Sequence, residues 1–175
     1  MPPAHRLGHM HYPDWYRNIS APFRGDVAVQ TINVLDRVLV VAVAGIYVAA
    51  IVIMMVTGDA MRALRVIVVP AITFALITYL RERYNAPRPY ELYDIDPIII
   101  KDTAGKSMPS RHVASAVIIA FALSWVHLDW GVIAFVASAI VAFTRIVGGV
   151  HFPRDVMAGA AIAAVCGIVG FVLIP

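Results

Sequence analysis

The sequence predicts an all-α integral membrane protein, a bundle of about five transmembrane helices preceded by an N-terminal interfacial helix. Three observations carry this prediction. Hydrophobic residues make up 61% of the chain, against roughly 45–50% in a soluble domain, and mean hydropathy is +0.79. Five long apolar stretches exclude formal charge. The length, 175 residues, suits one domain over 1–175. The net charge of +3, from 14 Lys+Arg against 11 Asp+Glu, does not point to nucleic acid, because no basic patch alternates with stacking aromatics. In a membrane protein such charge serves anionic lipid or phosphate. The single cysteine, Cys166, lies in an apolar run; it reads as a small packing residue and excludes a disulfide framework.

Residues 1–30 carry Pro2, Pro3, Pro13 and Pro22 and no compact apolar core, so a cleaved signal peptide is not expected. Trp15, Tyr16, Ile19 and Phe23 share one side of a helical wheel, which suggests a short interfacial helix bent or ended by Pro22; a disordered basic tail is the alternative. His5, His9 and His11 lack a second ligand set, and no metal site is expected from them.

The spans are expected at about 38–58, 62–83, 111–128, 130–147 and 155–174. The first is uncharged over 21 residues, about the ~20 that cross a bilayer. The apolar centres of the second and fourth, 66–80 and 130–144, hold only 15 residues each. At about 1.5 Å per residue these helices must continue into their charged flanks to cover a ~30 Å core. Ionisable groups at that depth are costly and usually functional.

Five alternating spans bring Arg81, Arg88, Arg111, His112, Arg145, His151, Arg154 and Asp155 to one face, so the chemistry is one-sided. The loop 84–110, broken by Pro87, Pro89, Pro97 and Pro109, joins spans two and three on that face. Loops of this length are usually functional; its Tyr84, Tyr90 and Tyr93 either shape access or anchor the interface.

Three clusters on this face carry chemistry. Arg81 and Arg88 lie seven residues apart, with Arg88 expected just past a helix end. Their planar, permanently charged donors suit phosphate oxygens, although for this cluster alone snorkelling at a membrane boundary is the favoured reading. The run Ser107-Met-Pro-Ser110-Arg111-His112 opens the third span. A hydroxyl and free backbone N–H groups at a helix start bind anions, and a histidine there can protonate a leaving group. Arg145 precedes Gly148, Gly149, His151 and Asp155. A helical or near-helical turn would bring Asp155 to the His151 imidazole, fix its tautomer and leave the other nitrogen nucleophilic. The paired glycines permit tight backbone of the kind that passes close to a ligand.

Together these clusters resemble the type 2 phosphatidic acid phosphatases, lipid phosphate phosphatases related to vanadium haloperoxidases, with their Lys-x6-Arg-Pro, Pro-Ser-Gly-His and Ser-Arg-x5-His-x3-Asp motifs. Arg81, Arg88 and Pro89 match the first with arginine for lysine. Pro109, Ser110 and His112 match the second, with Arg111 in place of glycine. Arg145, His151 and Asp155 match the third, with Thr144 in place of serine. The resemblance implies hydrolysis of a lipid phosphate monoester or diphosphate without metal or cofactor. His151 would attack phosphorus, giving a phosphohistidine, with Asp155 orienting it. His112 would protonate the leaving oxygen, and Arg81, Arg88, Ser110 and Arg145 would hold the phosphate. Arg111 either narrows the pocket or contacts a second phosphate.

The candidate substrates are polyprenyl diphosphate, phosphatidylglycerol phosphate, phosphatidic acid and a phosphorylated prenyl-linked sugar or lipid A, so the expected partners are such a lipid and the bilayer, with no nucleic acid. The family's bacterial lipid phosphatases typically have six spans where this chain reads as five and an interfacial helix; most place the site outside or in the periplasm, and an exterior site is the expectation here. Yet 12 Lys+Arg fall on the catalytic face and N-terminus and two on the other, a bias that favours a cytoplasmic site. The alternatives are a small anion or lipid transporter with an arginine-lined site, which leaves the histidines unexplained, and a non-catalytic lipid-binding homologue.

Overall fold

In a computed structural model, residues 12–174 are described; His5, His9 and His11 lie outside them. A short helix α1 (Tyr12–Ser20) runs into a 3₁₀ turn (Ala21–Phe23) that contains Pro22. The long helices are α2 (Asp26–Val56) and α3 (Ala60–Tyr84). A four-residue helix α4 (Pro89–Leu92) follows, then α5 (Arg111–Val126), α6 (Leu128–Val147) and α7 (Pro153–Ile168), which ends in a π-helical turn (Val169–Leu173). Every regular element among the described residues is helical, as the sequence predicts.

Among the described residues, four helices are long and apolar enough to cross a membrane: α2, α3 with its extension to Leu92, α6, and α7 with its π turn. The fifth apolar helix, α5, has 16 residues and reaches about 24 Å at 1.5 Å per residue. It sits in the middle of the bundle, packed against α2, α3, α6 and α7. Its buried Ala114, Ala116, Ala120 and Ala122 let the neighbouring backbones approach closely, which is how helices pack where lipid removes the hydrophobic drive. Outward positions remain apolar, with Val41 71% and Met157 69% exposed; that surface belongs against hydrocarbon. Hydroxyls inside the bundle satisfy themselves locally: Thr73, Ser124 and Ser138 each donate to the carbonyl four residues back, the economical solution in an apolar medium.

The observed α2 starts at Asp26, twelve residues before the expected span. Ile32, Asp36 and Val43 lie on its buried face, and Ile32 joins a core cluster with Ile98, Ile99, Val147 and Val150. Tertiary packing therefore extends this helix beyond the apolar run and carries Asp36 into the bundle. α1 also differs from a helix resting only on lipid. Tyr16 is 1% exposed; its hydroxyl donates to the Val147 carbonyl at 3.0 Å and accepts from the Ile98 N–H at 3.3 Å. At the opposite end of the bundle, the Arg62 and Arg65 guanidinium groups lie over the Trp125 ring.

Candidate active site

The site forms where the 84–110 loop, the start of α5, the end of α6 and the start of α7 meet. The loop is ordered by its own polar groups. Glu91 accepts from the Arg88 N–H at 2.6 Å and from the Gly105 N–H at 3.0 and 2.9 Å. Arg88 donates through Nε to the Gly105 carbonyl and through Nη1 to the Val150 carbonyl. Arg81, in the last turn of α3, donates from Nη1 to the Pro109 carbonyl at 2.8 Å. Both arginines are buried, and each leaves further N–H donors for an anion, since a guanidinium carries five.

The start of α5 is fastened to α7. The Ser110 N–H donates to the Asp155 carbonyl at 2.8 Å, and a Cβ on Gly159 would lie 2.5 Å from the Ser110 carbonyl oxygen. Only glycine fits this approach. The Gly148–Gly149 pair serves packing of another kind: Gly149 has φ +75°, and a Cβ there would meet the Tyr16 hydroxyl at 2.7 Å, while one on Gly148 would strike Ile99. These glycines admit α1 and the loop, where the sequence suggested a ligand.

His151 and Asp155 come together outside any regular helical turn, because α7 begins only at Pro153 and Phe152 is extended. His151 Nδ1 lies 3.8 Å from Asp155 Oδ2, too far for a hydrogen bond. Ser107 fills the gap. Its Oγ donates to Asp155 Oδ2 at 2.6 Å and lies 3.3 Å from His151 Nδ1, and the residue is completely buried. Since an ionised carboxylate only accepts, the single hydroxyl proton is committed to Asp155. Ser107 can then only accept from the imidazole, which places the proton on Nδ1 and frees the Nε2 lone pair. Asp155 Oδ2 also accepts from the Phe152 N–H at 3.0 Å. Burial pushes the His151 imidazolium down to about 4, reinforced by the Arg88 and Arg145 charges and opposed by Asp155; the ring is neutral at neutral pH.

Arg145, 2% exposed, faces Asp36 of α2 with Nε 2.8 Å from Oδ1. The N–H does not point along that line, so Arg145 Nε and Nη1 and Asp36 Oδ1 lack hydrogen-bond partners among the described residues. Ser110 Oγ is likewise buried and unpartnered. Buried donors without acceptors cost free energy unless something fills the site, and here three of them, on Arg145 and Ser110, come from residues expected to hold phosphate.

His112 is half-buried and lines two cavities. One, of about 300 Å³, is an apolar groove between α2, α3 and α5 with Val40, Phe74 and Ile119 in its wall. The other, of about 430 Å³, is polar and includes Asn33, Asp36, Arg37, Lys101 and Arg145. Arg111 is the exposed member of the predicted set; its guanidinium lies 5.5 Å from the Phe74 ring centroid, at the groove rather than among the buried arginines. Burial, with the Arg145 charge next, pushes the Lys101 ammonium down to about 8.

The structure thus gathers Arg81, Arg88, Ser110, His112, Arg145, His151 and Asp155 at one end of the bundle, with Arg111 exposed at its edge, where its charge still acts on Arg81 and His112. Sequence reasoning missed three residues. Ser107 stood in the second cluster without a role. Lys101 follows an apolar triplet, Ile98 to Ile100, the pattern of a cation carried inward. Asp36 gave no local signal, being 109 residues from its partner.

The PAP2 superfamily model matches residues 62–175. No curated protein matches the sequence. The fold is similar to the crystal structure of Aquifex aeolicus LpxE, with 26% identity and TM-score 0.69, covering 90% of this chain and 92% of that one. It also shares its fold with a transmembrane PAP2 type phosphatidylglycerolphosphate phosphatase from Bacillus subtilis, at 19% identity and TM-score 0.52, over 89% and 90% of the two chains.

Proposed function

The chain belongs to the PAP2 superfamily, and on that premise we propose that it is an integral membrane phosphatase acting on a lipid-borne phosphate through a phosphohistidine. The observation that carries the reading is the Ser107-bridged contact between His151 and Asp155 beside unpartnered Arg145 and Ser110 donors. His151 Nε2 attacks phosphorus while His112 gives a proton to the departing oxygen. Water then attacks the phosphohistidine, His112 takes its proton, and phosphate leaves with the His151 lone pair restored. Arg81, Arg88, Ser110 and Arg145 hold the phosphoryl oxygens and stabilise their charge in the transition state. The positive charge that a metal would supply comes from the arginines, and among the described residues no three His, Cys, Asp or Glu side chains group as a ligand set. Arg111 stands at the groove mouth, facing the lipid rather than the phosphoryl group. As the resemblance implies, the reading places the site at the exterior face of a bacterial membrane.

The test is phosphate release by purified protein in detergent from prenyl diphosphate, phosphatidylglycerol phosphate, phosphatidic acid and lipid A, with His151→Ala alongside. Release that disappears in the variant supports the nucleophile. Release retained by His151→Ala sinks it.

A further inference from the structure

The polar cavity beside His112 is lined by Asn33, Arg37, Lys101 and Arg145, and only Arg145 among these belongs to the motif clusters. Arg37 and Lys101 make no hydrogen bond or ion pair among the described residues. Asp36, also in the wall, is already set against Arg145. The cavity therefore presents uncommitted positive charge, carried by one residue of α2 and one of the 84–110 loop.

Its position gives that charge a meaning. An in-line displacement puts nucleophile and leaving group on opposite sides of phosphorus. The cavity is lined by His112, the proposed acid, and Arg145, a proposed phosphate ligand, but His151 does not reach its wall. The apolar groove also contains His112 but lacks Arg145, so the cavity that combines the two is the leaving-group side. Val40, Val41, Ile99 and Ile100 complete the lining, and Val41 and Ile100 are exposed on the apolar surface, so a chain attached to the leaving group has a path to the bilayer.

Resting on the lipid phosphatase reading, we infer that Arg37 and Lys101 bind an anionic leaving group, a lipid monophosphate, so that the preferred substrate is a lipid diphosphate. The bond broken is the bridging P–O bond of the anhydride. The terminal phosphoryl passes to His151 Nε2 and then to water, and the bridging oxygen leaves on the lipid monophosphate. An uncharged alcohol leaving group makes no use of two cations here; a phosphate uses both, through charge-assisted hydrogen bonds.

Farnesyl diphosphate and farnesyl monophosphate share one chain and differ only in the second phosphate. With full-length protein in detergent, kcat/KM for the diphosphate is expected to exceed that for the monophosphate by about tenfold or more, the scale of a lost charge-assisted contact. Lys101→Ala brings that ratio down toward one, and Lys101→Arg, which keeps the charge, retains it. Diacylglycerol diphosphate against phosphatidic acid repeats the comparison on a second chain and shows whether the preference follows the phosphate or the prenyl group. A wild-type ratio near one, or a ratio that Lys101→Ala leaves unchanged, overturns the inference while leaving the phosphatase reading in place. Absence of turnover on every probe by well-folded protein overturns both.

Discussion

Asp36 on α2 holds its carboxylate oxygen 2.8 Å from Nε of Arg145 at the end of α6, with both side chains buried. The pair ties a helix that precedes the family-matched residues 62–175 to one of the motif arginines. Removing one partner of a buried pair leaves a charge uncompensated, at a cost of roughly 3–5 kcal/mol. Asp36→Asn is therefore expected to lower the melting temperature. Inorganic phosphate, an anion able to take the carboxylate's place, raises the melting temperature of the variant more than that of wild type. Equal shifts in thermal melts of the two proteins would show that Arg145 does not face the phosphate site.

Ser107 stands between His151 and Asp155, which are themselves 3.8 Å apart. Ser107→Ala removes the group that fixes the imidazole tautomer. Misplacing a catalytic group can cost about 100-fold, so kcat is expected to fall by up to that factor with little change in KM. Steady-state kinetics with acid-quench trapping of the phosphohistidine checks this. Wild-type kcat in the variant would mean that Asp155 orients His151 without help.

The pH dependence follows from burial of His151. The imidazolium is pushed down to about 4, so the ring keeps its lone pair above that value and loses it below. Once corrected for ionisation of the substrate, kcat/KM should fall as pH drops through about 4 rather than through the ordinary imidazole range near 6.5. Lys101, pushed down to about 8, is charged below that value and neutral above it. Preference for a diphosphate should therefore shrink as pH rises through 8. A pH–rate profile on the two farnesyl probes measures both effects.

Arginines supply the positive charge around the proposed phosphate position, so turnover is expected to persist in excess EDTA. Activity lost to the chelator and restored by magnesium would refute the metal-free reaction.

Much of the fold was legible because a bilayer imposes a simple rule. A spanning segment must be apolar for about 20 residues and satisfy its own backbone, and both requirements show in a linear pattern. The helix limits were less legible. Gly25 and Asp26 look like the edge of a polar tail, yet Ile32 and Asp36 pack inward and draw α2 down to Asp26. In the site, the His151–Asp155 spacing was visible, but the sequence implied direct contact through a helical turn. The extended Phe152 and the Pro153 start of α7 place Ser107 between them instead.

By itself the sequence determined the helical membrane class and the residue types that assemble at one end, because apolar length and motif spacing are properties of a single strand of chain. Only tertiary structure decided which of those residues meet. Ser107 reaches Asp155 across 48 residues and Asp36 reaches Arg145 across 109, contacts made by helix packing with no local pattern to announce them. It decided as well that Arg111 turns to Phe74 while Lys101 turns inward. The direction a side chain takes depends on the volume its neighbours leave, and those neighbours are distant in sequence.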